Sequence, residues 1–139
     1  MNILVTGSAG FIGYHAANAL LNKGFNVTGI DNINDYYDIQ IKKKRIEMLS
    51  SFANYRFEKI DISKFELLKE ILEESSIDAV IHLAAQAGVR YSIENPFLYT
   101  QSNLVGFSNI LEICRKMNVK KLVYASTSSV YGANTNMPF

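Results

Sequence analysis

Three glycines constrain this chain more than any other feature. An aliphatic run, Ile3-Leu4-Val5, leads into Thr6-Gly7-Ser8-Ala9-Gly10-Phe11-Ile12-Gly13, and an amphipathic stretch follows to Asn22. The pattern predicts a buried strand, a tight turn and a helix. Gly7 permits the turn. Gly10 lets the backbone approach a phosphate with no Cβ in the way, and Gly13 lets the helix pack close to the strand. A helix that starts there also turns free N–H groups and a partial positive charge toward the turn.

A lone glycine triplet fits a ligand-free turn equally well. Here a second apolar run, Phe25 to Ile30, ends at Asp31, 18 residues after Gly13. A carboxylate at that point can accept hydrogen bonds from ribose hydroxyls, and the combination points to a dinucleotide. Asp31 would repel a 2′-phosphate, which favours NAD over NADP.

The remaining segments alternate between short apolar runs and helical patterns. The first helix, Phe11 to Asn22, is expected to bury Ile12, Ala16, Ala19 and Leu20, and Gly24 ends it. Asp31 to Tyr37 reads as loop, with a weak helix to about Ser51. Tyr55 to Ile60 is a third strand. Ser63 and Glu66 form a potential capping box for a helix with Phe65, Leu68, Ile71 and Leu72 on one face. Ala79-Val80-Ile81 is a fourth strand. Phe97 to Met117 is a long helix expected to bury Leu104, Phe107, Ile110, Leu111 and Cys114. Lys121 to Ala125 is a fifth strand, and Asn134 to Phe139 is loop.

Alternation of this kind predicts an α/β fold. Its core would be a doubly wound, five-stranded parallel sheet whose order reverses beside the first strand. The strands are continuous apolar runs, as burial on both faces requires.

The length, 139 residues, fits one domain. Fourteen basic residues balance 13 acidic ones, for a net charge of +1, so there is no electrostatic footprint for nucleic acid. Cys114 stands alone, which excludes an internal disulfide. With only two histidines beside it, a structural zinc site is not expected either. The sequence shows no signal peptide and no apolar run of membrane-spanning length, so a cytoplasmic location is the expectation. Lys42-Lys43-Lys44-Arg45 reads as a solvated helix face.

The spacing of Gly7, Gly10 and Gly13 resembles the extended short-chain dehydrogenase/reductase family, which includes NAD-dependent epimerases and dehydratases. Asp61-Ile62, His82-Leu83-Ala84-Ala85, Asn103 and Ser126-Thr127-Ser128-Ser129-Val130-Tyr131-Gly132 look like later motifs of that family. Three stretches are similar to UDP-glucuronate 4-epimerases, some of which serve bacterial capsule and surface-polysaccharide pathways. They are residues 31–37, residues 85–96, and residues 102–107 with 109–112.

The resemblance implies a Rossmann-type NAD-binding domain over residues 1–139. It also implies an enzyme that inverts the 4-hydroxyl of a UDP-sugar, with UDP-glucuronate suspected, through a keto intermediate. The cofactor residues it implies are Gly7, Gly10, Phe11, Ile12, Gly13, Asp31, Asn32, Asp61, Ile62, Leu83, Ala84, Ala85, Asn103 and Ser126. Thr127 falls on the family's catalytic Ser/Thr, and Gln86, Arg90, Ser128 and Ser129 on the substrate side. Dehydratases of the family carry Asp-Glu after the catalytic Thr. Ser128 and Ser129 stand there instead and cannot serve as acid and base for eliminating water. His82 reads as a packed, hydrogen-bonded histidine.

The family's Tyr-x-x-x-Lys motif does not occur among the 139 residues. The chain is therefore expected to be C-terminally truncated, to lack the sugar-nucleotide-binding part and to be inactive alone. In whole family members the fifth strand has a further neighbour, so here an apolar edge is expected, with homodimerisation a consequence. A non-catalytic NAD-binding fragment, or another epimerase or reductase of the family, is the alternative.

Overall fold

The computed structural model describes residues 1–73 and 75–138. Five strands form one parallel sheet: β1 (Asn2–Thr6), β2 (Asn26–Asp31), β3 (Tyr55–Lys59), β4 (Ala79–His82) and β5 (Leu122–Tyr124). Their order is β3-β2-β1-β4-β5, so the winding reverses between β1 and β4, as expected. The register pairs Ile3 with both Val27 and Ala79. The helices are α1 (Phe11–Asn22), α2 (Ile39–Ser50), α3 (Phe65–Glu73), α4 (Val89–Glu94), α5 (Pro96–Tyr99) and α6 (Gly106–Lys116).

The pleat of β1 divides the core in two. Ile3 and Val5 join Ala17 and Leu21 of α1 and Leu49 of α2 on one face. Leu4 joins Leu68 and Leu72 of α3 and Ile110, Ile113 and Cys114 of α6 on the other. The central strands β1, β2 and β4 are thereby buried on both sides, which is why their runs are continuously apolar. Among the described residues no helix is long and apolar enough to cross a membrane.

Helix α1 ends in a Schellman arrangement. Gly24, at φ +81°, donates to Leu21 O, and Phe25 donates to Leu20 O. Its buried stripe differs from the expected one. Gly13, Ala17 and Leu21 face the sheet, while Ile12 is 65% exposed. Close contact between Gly13 and the Gly7 turn rotates the helix by one position.

The expected helix over Phe97 to Met117 is a continuous helical segment, but Thr100–Val105 forms a π turn with i→i+5 bonding. That turn holds one residue too many for an α-helical stripe, so the phase slips. Leu104 and Leu111 are therefore exposed, and Gly106, Ile110, Ile113 and Cys114 carry the packing. α3 begins at Phe65, two residues beyond the expected cap. Instead Ser63 N–H donates to Asp61 Oδ1, and the Asp61 side chain organises the turn. β5 is an edge strand, with Val123 66% exposed. Phe139 of the expected terminal loop lies outside the described residues.

Candidate functional site

Strands β1, β2, β4 and β5 end at Thr6, Asp31, His82 and Tyr124, and their carboxyl ends open onto one furrow at the switch point. It has two lobes. The first, about 180 Å³, is lined by Gly7, Gly10, Asp31, Asn32, Asp61 and Ile62, among others. The second, about 610 Å³, is lined by His82, Asn103, Phe107, Tyr124, Ser126 and Thr127, among others. Residues 83–87 line both lobes, so the two adjoin along that segment.

The glycine turn is tight. Gly7, at φ +71°, and Ser8 both donate to Ile30 O, at 2.7 and 3.1 Å, which ties the turn to β2. A Cβ on Gly7 would lie 2.8 Å from Ala84 N, and one on Gly13 would lie 2.0 Å from Gly7 O. The first α1 bond runs from Tyr14 N–H to Gly10 O, and no side chain caps the helix. The amides of Phe11, Ile12 and Gly13 are thus the free donors of the N-terminus. The side chains of Phe11 and Ile12 point outward, 66% and 65% exposed, so any ligand contact at these two positions goes through backbone.

Asp31 sits beside the glycine turn and is 9% exposed. Its Oδ2 accepts from Ala9 N–H at 3.1 Å and its Oδ1 from Ile33 N–H at 2.9 Å. A carboxylate has about four acceptor sites, so lone pairs remain for a ligand. Asp61 is fixed by Asn32 Nδ2 at 3.0 Å and by Ser63 N–H at 2.9 Å. Burial pushes its pKa up, but these hydrogen bonds and Lys64 outweigh it, and the carboxyl titrates below its usual range.

The π turn has a purpose visible here. It aims Asn103 at the loop after β4, where its side chain accepts from Gln86 N–H at 2.8 Å and donates to Gln86 O at 3.0 Å. Gln86 is buried by this clamp, 6% exposed. Thr127 sits at the mouth of the second lobe, where its Oγ1 accepts from Ser129 N–H at 3.2 Å. Arg90, Ser128 and Ser129 are exposed and line neither lobe.

His82 is a packed residue, as expected. Its Nδ1 lies 2.7 Å from Thr6 Oγ1, which also accepts from the amides of Leu83 and Ala84 at 3.2 Å. His82 also stacks on Phe107 with centroids 5.4 Å apart. Burial lowers its pKa to about 4. The folded state therefore disfavours the imidazolium, whereas the unfolded chain binds that proton near pH 6.5. This contribution to stability is complete above pH 6.5 and is lost as pH falls toward 4. Between pH 7 and pH 5 the loss is about 2 kcal/mol, and His82→Gln should remove it. Urea unfolding of both proteins at the two pH values checks this. Equal acid losses would contradict it.

The basic run is not a simple solvated face. Lys43 and Lys44 are exposed, but Lys42 is 4% exposed and lines the first lobe. Its Nζ donates to Asn34 O at 2.9 Å and to Asn34 Oδ1 at 2.5 Å, and it lies 4.5 Å from the Tyr37 ring centroid. Arg45 donates to Ala9 O at 3.1 Å. Net charge averaged over the run hid this. Lys42 and Arg45 stand three apart and share one helix face, which was the available signal. Tyr36, Tyr37 and Ser102 of the first lobe and Tyr99, Phe107 and Tyr124 of the second were also missed as site residues.

Comparison with known proteins agrees with this geometry. A family model described as GDP-mannose 4,6 dehydratase matches residues 4–139. Protein CapI of Staphylococcus aureus is 50% identical over 139 residues, 100% of this chain and 41% of that protein. The UDP-glucuronate 4-epimerase of Thermodesulfobacterium geofontis is 52% identical over 136 residues, 98% of this chain and 42% of that enzyme. The crystal structure of the Bacillus cereus UDP-glucuronic acid 4-epimerase, in complex with UDP-glucuronic acid and NAD, superposes with a TM-score of 0.86. It is 38% identical and covers 98% of this chain and 43% of that one. The chain thus spans about two fifths of the length of the curated relatives it matches.

Proposed function

This chain belongs to the nucleotide-sugar epimerase and dehydratase family, and from that premise we propose that it forms the NAD-binding domain of a UDP-sugar 4-epimerase. UDP-glucuronate is the proposed substrate. The observation that carries this reading is the pair of lobes that adjoin along residues 83–87, with the glycine turn and Asp31 on the first and Thr127 on the second.

In this reading the amides of Phe11, Ile12 and Gly13 hold the pyrophosphate, with Gly7 and Gly10 shaping the approach. Asp31 and Asn32 take the adenosine ribose, and Asp61 and Ile62 flank the adenine. Leu83, Ala84, Ala85, Asn103 and Ser126 line the nicotinamide end. Bound there, NAD supplies reversible hydride acceptance. Thr127 hydrogen-bonds the sugar 4-hydroxyl, and Gln86, Arg90, Ser128 and Ser129 face the sugar nucleotide. Hydroxyls at 128 and 129 favour an epimerase over a dehydratase, because they can donate to a sugar carboxylate but cannot eliminate water. The same reading includes a homodimer, supported by the exposed Phe97, Leu104 and Leu111, seven residues apart on one segment.

Asp31→Ala should weaken NAD binding by about 1–3 kcal/mol, because the ribose hydroxyls lose a charged acceptor. It should also relax discrimination against NADP. Calorimetric titration of the variant with both dinucleotides tests this. Unchanged affinity and selectivity would place the ribose elsewhere.

A further inference from the structure

The two walls of the first lobe touch at their rim. One wall is the loop after β2, which carries Tyr36. The other is the segment after β4, which carries Gly88 and leads into α4. The Tyr36 ring packs on Tyr91 of α4 with centroids 5.0 Å apart. At Gly88, φ is +101°, and a Cβ there would lie 2.3 Å from Tyr36 Oη. The second wall is anchored by Tyr99, whose single Oη proton is shared between Ala87 O, at 2.6 Å, and Gly88 O.

The first wall is pinned by side chains. Ile33 has φ +52°, an unusual conformation for a β-branched residue that surrounding contacts must hold. Asp31 Oδ1 accepts from Ile33 N–H, Asn32 Oδ1 from Asn34 N–H, and Lys42 grips Asn34. These bonds hold residues 31–34, and the Tyr36 ring beyond them makes the contact to the second wall.

We propose that Tyr36 is a positioning residue whose ring closes the rim of the furrow against Tyr91 and slows dinucleotide exchange. The proposal rests on the NAD-binding reading above. Slow exchange suits an epimerase, which must return hydride to the sugar it came from and cannot release its dinucleotide in between.

The test is stopped-flow release of NADH from the chain, displaced by excess NAD. Losing one aromatic pair should speed release by roughly three- to tenfold in Tyr36→Ala. Tyr36→Phe keeps the ring and should release within about twofold of the wild type by the same reasoning. Without ligand, Tyr36→Phe should melt with the wild type and Tyr36→Ala a few degrees lower, since the same ring pair is lost there. Should Tyr36→Ala fail to fold, Tyr91→Ala opens the same contact from the other wall. Wild-type release from the alanine variants, or release from Tyr36→Phe as fast as from Tyr36→Ala, would overturn the role of the ring. A wild-type chain that binds no NADH would overturn the cofactor reading and this proposal with it.

Discussion

Gly13→Ala should abolish NAD binding and leave a less stable protein. The added methyl would sit 2.0 Å from Gly7 O, 2.7 Å from Gly7 C and 3.0 Å from Ser8 Cα. All three are backbone atoms, so no rotamer change relieves the contact. Helix α1 and the glycine turn must move apart. Overpacking of this kind costs about 1–3 kcal/mol or somewhat more, which for a chain of this size lowers the melting temperature by roughly 5–15 °C. The effect on binding should be larger. The turn holds the free amides of Phe11, Ile12 and Gly13 in one arc, and each hydrogen bond to a charged group contributes about 1.5–3 kcal/mol. Losing two of them weakens binding by at least about a hundredfold. Calorimetry on a variant with a wild-type circular dichroism spectrum separates the two effects. Wild-type affinity in such a variant would mean that the turn is not the pyrophosphate cradle.

The glycine spacing and the end of the second apolar run were enough to locate the first lobe. They work because each needs only local geometry: a turn, a helix N-terminus and a strand end. The sheet order was legible for a similar reason, since right-handed crossovers leave few topologies for alternating strands and helices. What escaped the sequence depends on contacts distant in the chain. The rotation of α1 is set by Gly13 against Gly7, and it reverses the expected burial of Ile12. The π turn at Thr100–Val105 follows from Asn103 reaching the Gln86 backbone, 17 residues away. No periodicity of the helix itself reports that bond, so Leu104 and Leu111 were read as core. Lys42 was hidden by its neighbours in a run of four cations. The roles proposed for Thr127 and the residues after it rest only on the family resemblance, because a hydroxyl in a turn carries no chemistry of its own.

The chain alone should convert no UDP-glucuronate, even with saturating NAD. Thr127 can orient a sugar hydroxyl, but no Tyr-x-x-x-Lys pair is present in the 139 residues to remove its proton. Losing a positioned general base costs roughly 10²–10⁴-fold in rate. Tyr124 and Tyr131 do not replace it, since neither has a lysine four residues on. Thr127 itself is exposed, so in this chain the second lobe is open to water on the substrate side. Alignment of the reacting carbon can supply several kcal/mol more, and an open lobe does not provide it. These losses multiply, and the rate should fall below detection by product chromatography. Clear formation of UDP-galacturonate by the pure chain would show that the residues lining the furrow suffice for catalysis.

The central claim is that the furrow holds NAD through the glycine turn and Asp31. Calorimetric titration of the wild-type chain with NAD and with NADP tests it most directly. One NAD should bind per chain, with NADP bound more weakly because its 2′-phosphate meets the Asp31 carboxylate. No heat of binding with NAD, or an equal or higher affinity for NADP, would contradict it.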